Sequence, residues 1–274
     1  MVRYIGNEAL DLKLVLIDSA QCFCWKETPQ GFVAAPGGVP LRIWRDPEGI
    51  WAESARPLEY IRKYLDLDRD YAAVAAEYAH IPAARRAIEL YPGMRVLNQD
   101  PWEALISFIL SANNNVARIR SLVQGICAEV GCDCCDEGLL SFPTPQALAS
   151  CPEEKLRKIG VGYRAPYLAG TASRVCEGFP IYELCKMDYE TAHAQLVTLP
   201  GVGDKVADCV LLFGCGHSCA FPVDVWVEKL LGSWFGITGS RTKLAKEARR
   251  LLGANAGLLQ QFLFHAARVG DIEL

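Results

Sequence analysis

The chain has 274 residues, 51% hydrophobic and 22% charged, with a formal net charge of −4; that length permits one large domain or two modest ones. No apolar run approaches the roughly 20 residues that span a bilayer, and the opening MVRYIGNEALDLK lacks the apolar centre of an export signal, so a cytoplasmic protein is expected. Whole-chain acidity argues against a nucleic-acid binder on bulk charge alone, although a local basic face can hide inside it.

Residues 9–18, ALDLKLVLID, place Leu10, Leu12, Leu14 and Leu16 in alternation and read as a half-buried strand. CFCWKE (22–27), GFVAAP (31–36), LRIWRD (41–46) and GIWAES (49–54) follow, separated by turn signals such as Pro36-Gly37-Gly38 and Asp46-Pro47-Glu48-Gly49. The first sixty residues therefore read as an antiparallel meander. From Pro57 the spacing of apolar residues becomes helical, in LEYIRKYLDL and then DYAAVAAEYAHI. DPWEALISFILSA (100–112) opens on an Asp cap with Pro at the first helical position. The expected fold is α+β, mainly α. It has an N-terminal antiparallel sheet domain with flanking helices over 1–95, then an all-helical domain over 96–274 whose last helix packs near the first domain.

Twelve cysteines need an account. Without an export signal a disulfide framework is not expected. Cys127, Cys132, Cys134 and Cys135 cluster, but not as two well-separated C-x-x-C pairs, so free thiols are preferred over zinc. The segment RTKLAKEARR (241–250) reads as a solvated basic helix face.

Chemistry concentrates in LVTLPGVGDKVADCVLLFG (196–214). An apolar Leu-Pro-Gly-Val-Gly turn runs straight into a helix that begins near Asp204. Gly201 and Gly203 leave the backbone bare, and the unpaired N–H groups at a helix start form an anion site that suits a DNA phosphate. Lys205 stands on the first turn of that helix, where positive charge is disfavoured. The same placement favours the neutral amine that nucleophilic attack requires. Further on, AFPVDVWVEKLLGSWFG (220–236) presents Asp224 before an apolar helix. It suits an N-cap, and equally a carboxylate set beside developing positive charge.

These residues reach a family. LPGVGDKVADC followed by PVDVW resembles the helix-hairpin-helix DNA glycosylases, and within them the 8-oxoguanine branch. QDPWEALISFILSANNNVARI (99–119), GVGYRAPYL (160–168), LLQQFLFHA (258–266) and SAQCFCW (19–25) resemble further segments of that branch, so the likeness covers nearly the whole chain. It implies a bifunctional glycosylase and abasic-site lyase acting on 8-oxoguanine in double-stranded DNA, with cytosine opposite. Lys205 matches the lysine that attacks the anomeric carbon, and Asp224 the aspartate that stabilises the cationic state. Cys209, Gln260 and Phe264 match residues that hold the oxidised base. Asn113 matches the residue that fills the vacated gap, Arg118 and Arg164 those that bond the orphaned cytosine, and Tyr163 the wedge beside it. Gly201, Gly203 and Val206 belong to the phosphate-binding hairpin. Val197, Leu199 and Val202 match carbonyls that hold a structural K+ or Na+.

Ordinary structural explanations exist for several of these: core packing for Phe264, a helix C-cap for Asn113 to Asn115, a small buried hydrophobe for Cys209. The sequence also departs from the family. Ala20 stands where a glycine carbonyl accepts from the oxidised base, Trp226 where a histidine follows the aspartate, and Ala267 where that histidine has a partner aspartate. No cofactor is required for catalysis under this reading. No iron–sulfur cluster is expected either, because Cys219 is the last cysteine. The resemblance further implies a monomeric, nucleoid-associated bacterial enzyme with no membrane partner. Competing readings are a sister glycosylase for other oxidised bases, an alkylation-repair glycosylase that would not need Lys205, and a non-catalytic helix-hairpin-helix DNA-binding module.

Overall fold

The computed structural model describes residues 1–134 and 138–272. Cys135, part of the cysteine cluster noted above, lies outside them. No described helix is long and apolar enough to cross a membrane.

The strands are β1 (Val2–Gly6), β2 (Lys26–Thr28), β3 (Gly31–Ala34), β4 (Leu41–Asp46) and β5 (Gly49–Ser54), ordered β1-β5-β4-β3-β2. Every pairing is antiparallel. The β4–β5 turn closes because the Asp46 carboxylate accepts the N–H groups of Glu48 and Gly49 at 2.9 and 3.1 Å. Trp44 pairs with Trp51 across that hairpin, and Tyr4 packs edge-on against Trp51 from β1.

Two sequence expectations need correction here. β1 was not anticipated. The strand expected over 9–18 is instead a turn of helix, with Leu14–Asp18 in the wide i→i+5 form closed by Ser19 N–H donating to the Leu14 carbonyl at 2.8 Å. The Asp11 carboxylate accepts the Leu14 N–H at 2.9 Å and starts that turn. Leu14, Val15 and Leu16 are all buried in succession, so this segment is apolar on every side and its period does not distinguish strand from helix. Likewise, of the run expected as a strand from Cys22, only Lys26 onward pairs.

Among the described residues, thirteen α-helices follow the sheet. Of the first three, α1 (Leu58–Tyr64) packs on β1, while α2 (Tyr71–Tyr78) packs on α3 (Pro82–Leu90). Next come α4 (Pro101–Ser111), α5 (Val116–Val130), α6 (Pro145–Ala149), α7 (Glu153–Ile159) and α8 (Ala165–Cys176). The hairpin pair is α9 (Tyr189–Leu196) and α10 (Asp204–Phe213), and the chain ends with α11 (Val225–Phe235), α12 (Arg241–Leu252) and α13 (Ala256–Val269). As expected, Asp100 caps α4 ahead of Pro101, accepting from the N–H groups of Trp102 and Glu103. α13 returns to the start of the chain: it packs on α3, and Gln261 donates to the Ser19 carbonyl at 2.9 Å.

One buried contact ties the sheet layer to the helices. Glu103, in the first turn of α4, is almost fully enclosed and accepts the Gly37 N–H at 2.7 Å. A carboxylate in that position gains about 0.3–1 kcal/mol from the helix end, less than one pKa unit. Burial overrides this and, with the charge of Asp100 beside it, pushes the Glu103 carboxyl up to about 8. The folded value lies above the unfolded one, so the stabilising contribution is complete below pH 4.5 and is lost as pH rises through 8. Glu103→Gln keeps an acceptor for Gly37 without an ionisable group. Denaturation of both proteins between pH 5 and pH 9 should show a clearly smaller loss of stability in the variant; equal losses would mean that Glu103 is not the titrating group.

Candidate active site

The hairpin between α9 and α10 is shaped by its glycines and by α8. Gly201 has a φ of +77°, and a Cβ there would meet the Tyr167 ring at 2.8 Å, so both conformation and space require glycine. Gly203 is different: its backbone is extended and the space before it is open. It caps α10 without a side chain, which leaves the first N–H groups of that helix facing outward. The Val206 side chain is buried, so only its N–H can serve a ligand. Thr171 on α8 donates to the Pro200 carbonyl at 2.9 Å and pins the turn. Within the turn, the Leu199 carbonyl accepts the Val202 N–H at 3.2 Å; Leu199 and Val202 are buried, whereas Val197 is exposed.

Lys205 follows on the first turn of α10, half-buried. Its Nζ donates to Ser111 Oγ at 2.9 Å and lies 5.3 Å from the centre of the Phe108 ring, both residues of α4. The Ser111 hydroxyl donates its own proton to the Phe108 carbonyl at 2.7 Å, which turns a lone pair toward the lysine. One turn along α10 from Lys205 lies the buried Cys209 thiol. Burial pushes that thiol up to about 12; Lys205 opposes the shift, while Asp208 and Asp224 add to it. Cys209 is therefore a neutral thiol at pH 7, packed behind the amine.

Asp224 caps α11, its Oδ1 accepting the N–H groups of Trp226 and Val227 at 3.0 and 2.9 Å. Gln260, on α13, is buried, and its Nε2 donates at 3.2 Å to the carbonyl of Pro222, two residues before Asp224. Its Oε1 is buried with no partner among the described residues. Leaving such an acceptor unmade costs roughly 1–3 kcal/mol, which points to a donor brought by a ligand. Phe264 is half-buried one turn further along α13. Ala20 also occupies a strained conformation, with φ at +61°.

A second group forms the outer rim. Asn113 has φ at +52°, and its Nδ2 donates to the Tyr163 hydroxyl at 3.2 Å. Tyr163 is 50% exposed and meets Tyr167 edge-on at 6.3 Å. Arg118 is exposed and donates to the Gly160 carbonyl at 2.9 Å. Arg164 is placed differently from the expectation. It is buried, its Nε and Nη2 donate to the Ala112 carbonyl and its Nη1 to that of Val161, and its guanidinium lies 4.4 Å from the Tyr163 ring centre. It braces the loop instead of projecting from it. Ser111, Phe108 and Tyr167 were not singled out from sequence. The i, i+3 spacing of Phe108 and Ser111 just before the Asn run was the available signal.

A family model described as the HhH-GPD superfamily base excision DNA repair protein matches residues 106–254, more than half the chain. The chain belongs to that superfamily. Residues 4–105 match the 8-oxoguanine DNA glycosylase N-terminal domain. Among relatives of this superfamily member, an N-glycosylase/DNA lyase of Saccharomyces cerevisiae is 35% identical over 206 residues, 69% of this chain and 54% of that protein. A probable N-glycosylase/DNA lyase of Methanothermobacter thermautotrophicus is 35% identical over 205 residues, 66% of each. The match thus spans between about half and two thirds of those relatives' lengths. Among solved structures, the Clostridium acetobutylicum 8-oxoguanine glycosylase/lyase, in complex with double-stranded DNA containing cytosine opposite 8-oxoguanine, superposes with a TM-score of 0.90 at 29% identity, covering 99% of both chains. A 3-methyladenine DNA glycosylase from Archaeoglobus fulgidus shares the fold at 18% identity and a TM-score of 0.80.

The Ala20 geometry yields a prediction. A left-handed non-glycine residue costs about 1–2 kcal/mol, against roughly 0.4–1 kcal/mol of extra chain entropy that glycine loses on folding. Ala20→Gly should therefore stabilise the fold by up to about 1 kcal/mol, read as a higher urea midpoint at unchanged slope. A lower midpoint would mean that the surroundings demand the methyl group.

Proposed function

We propose that this protein is a bifunctional DNA glycosylase and abasic-site lyase that removes 8-oxoguanine from duplex DNA, with cytosine opposite. The observation that carries the reading is the Lys205 amine, held against Ser111 and Phe108 on the first turn after a glycine hairpin, with Cys209 one turn further along the same helix. The relatives' printed activities and the solved complex support the same conclusion.

A base inside a duplex is out of reach, so the nucleotide must be extruded at a cost of a few kcal/mol. Asn113, Tyr163 and Arg118 offset that cost by entering the vacated stack; Arg164 keeps Tyr163 in place from behind. The extruded base lies between Cys209 and Phe264, and a neutral thiol suits that apolar sandwich. Its pairing edge supplies the donor missing at Gln260 Oε1. The hairpin N–H groups at Gly201, Gly203 and Val206 take a backbone phosphate. The Lys205 amine, after losing a proton, bonds to C1′ as the bond from C1′ to the base breaks, and the base leaves with the electron pair and takes up a proton. The Asp224 carboxylate stands beside the positive charge that builds on the sugar. The nitrogen–C1′ adduct opens the sugar ring to an imine. Loss of a C2′ proton then expels the 3′ phosphate and nicks the strand. A monovalent cation suits the carbonyls of Val197, Leu199 and Val202 in chemistry, and would stiffen the hairpin without taking part in the reaction.

Borohydride should trap the wild-type chain covalently on duplex containing 8-oxoguanine opposite cytosine, and Lys205→Gln should lose both trapping and excision by several orders of magnitude while retaining lesion binding. Excision by the variant would remove Lys205 from its role. Arg118→Ala should flatten the preference for cytosine opposite the lesion, measured as the ratio of excision rates over the four opposite bases; an unchanged ratio would exclude Arg118 from base reading.

A further inference from the structure

Two arginines remain outside the site as described. Arg120 on α5 and Arg268 on α13 converge on the turn that leads into Ala20. Arg120 Nη2 donates to the Ile17 carbonyl at 2.7 Å, and Arg268 Nη2 donates to the carbonyl of the next residue, Asp18. Burial pushes Arg268 below its usual range; the Asp18 carboxylate and Tyr91 oppose that shift, while the positive charge of Arg120 adds to it. Neither forms an ion pair among the described residues. His265, whose Nδ1 lies 3.3 Å from Arg268 Nη2, is held down to about 4 by burial and by Arg268, and brings no compensating negative charge. Among the described residues, both Nε atoms are buried without partners, while neither Nη1 has a hydrogen-bond partner. Arg268 also sits 5.9 Å from the centre of the Phe264 ring, which places the pair at the rim of the candidate base pocket.

Two carbonyl bonds would be satisfied equally well by neutral donors, so a clamp on the 17–18 turn does not account for two adjacent positive charges. The donors left over by the clamp do point to a ligand: an anion between the two guanidiniums takes up the Nη1 groups that the 17–18 turn does not use. We propose that Arg120 and Arg268 together form a phosphodiester-binding site for the DNA strand that carries the extruded base. The inference rests on the proposed function, which supplies the DNA, and adds a phosphate contact at the Phe264 rim of the pocket.

The test is the salt dependence of binding to lesion duplex, measured in the Lys205→Gln background so that the DNA stays intact. Replacing both arginines by Gln should weaken binding several-fold at low salt and make the slope of log K against log salt shallower by about 1. Replacing both by Lys removes the planar fork but keeps the charge, and should restore most of the slope. Melting temperatures of all three proteins report any loss of the clamp. An unchanged slope in the Gln pair, with lesion binding otherwise intact, overturns this inference alone. So does an equal loss of affinity in the Gln and Lys pairs that tracks a fall in melting temperature, since that is the behaviour of a clamp. If the Lys205→Gln protein does not prefer lesion duplex over undamaged duplex, the proposed function fails and this inference fails with it.

Discussion

The hydrogen bond from Lys205 Nζ to Ser111 Oγ joins two helices whose opposite ends do different work. α10 carries the amine and, at its start, the outward N–H groups of the hairpin. α4 carries Phe108 and Ser111 beside the amine, Asn113 just past its end, and Glu103 at its beginning. Glu103 in turn holds Gly37 of the sheet layer. Any sliding of α4 along its axis would therefore move the amine's partner, the gap-filling Asn113 and the sheet contact together. The half-buried Lys205 side chain is also placed aptly for attack: it is held by a neutral hydroxyl and, among the described residues, forms no ion pair with a carboxylate.

The N-terminal sheet contributes to the site through one segment, residues 17–22. Ser19 accepts from Gln261, the Gln21 side chain bonds to Ser19, the Arg95 carbonyl and the Leu97 N–H, and the Gln21 carbonyl accepts from Gln99. This network fixes Ala20 between two fully tied residues, and only such over-determination can sustain an alanine at positive φ. Asn113 is comparable: Asn114 Nδ2 bonds the Leu110 carbonyl and Tyr163 receives the Asn113 amide. Among the described residues, three non-glycine positions have positive φ, and two of them, Ala20 and Asn113, lie at the candidate site. The third, Asp66, is held by Arg69, Tyr71 and Asn98 at the seam between α1, α2 and the chain entering α4.

What could be read from the sequence divides by distance along the chain. Local signals held up: Asp100 before Pro101, Asp224 as a cap, and a helix starting at Asp204 after the glycine turn. The turn at 14–18 was misread because its leucines alternate like a strand's while its burial is continuous; only the Asp11 cap distinguishes the two. Contacts between distant segments left no pattern at all. Ser111 and Lys205 are 94 positions apart, and no propensity links them. Arg164 shows the opposite failure. Its place in a motif was legible, but whether its guanidinium faces outward or is consumed by the Ala112 and Val161 carbonyls depends on how the loop closes.

Net charge misleads in the same way, and the reason is visible in the ion pairs. Part of the acidity is neutralised locally on the outer surface, as in Arg250 with Glu247, Lys186 with Glu183 and Arg157 with Glu153. Exposed pairs of this kind contribute little stability and little field at a distance. The cations that face the candidate site behave differently: Lys205, Arg118, Arg120 and Arg268 bond to neutral hydroxyls or carbonyls. A positive charge whose nearest partner is neutral keeps its field, and in a cleft walled by low-dielectric protein that field is focused outward. The overall charge of −4 is then compatible with a strongly positive approach path, because it is the pairing of the charges, more than their number, that decides what an incoming polyanion meets.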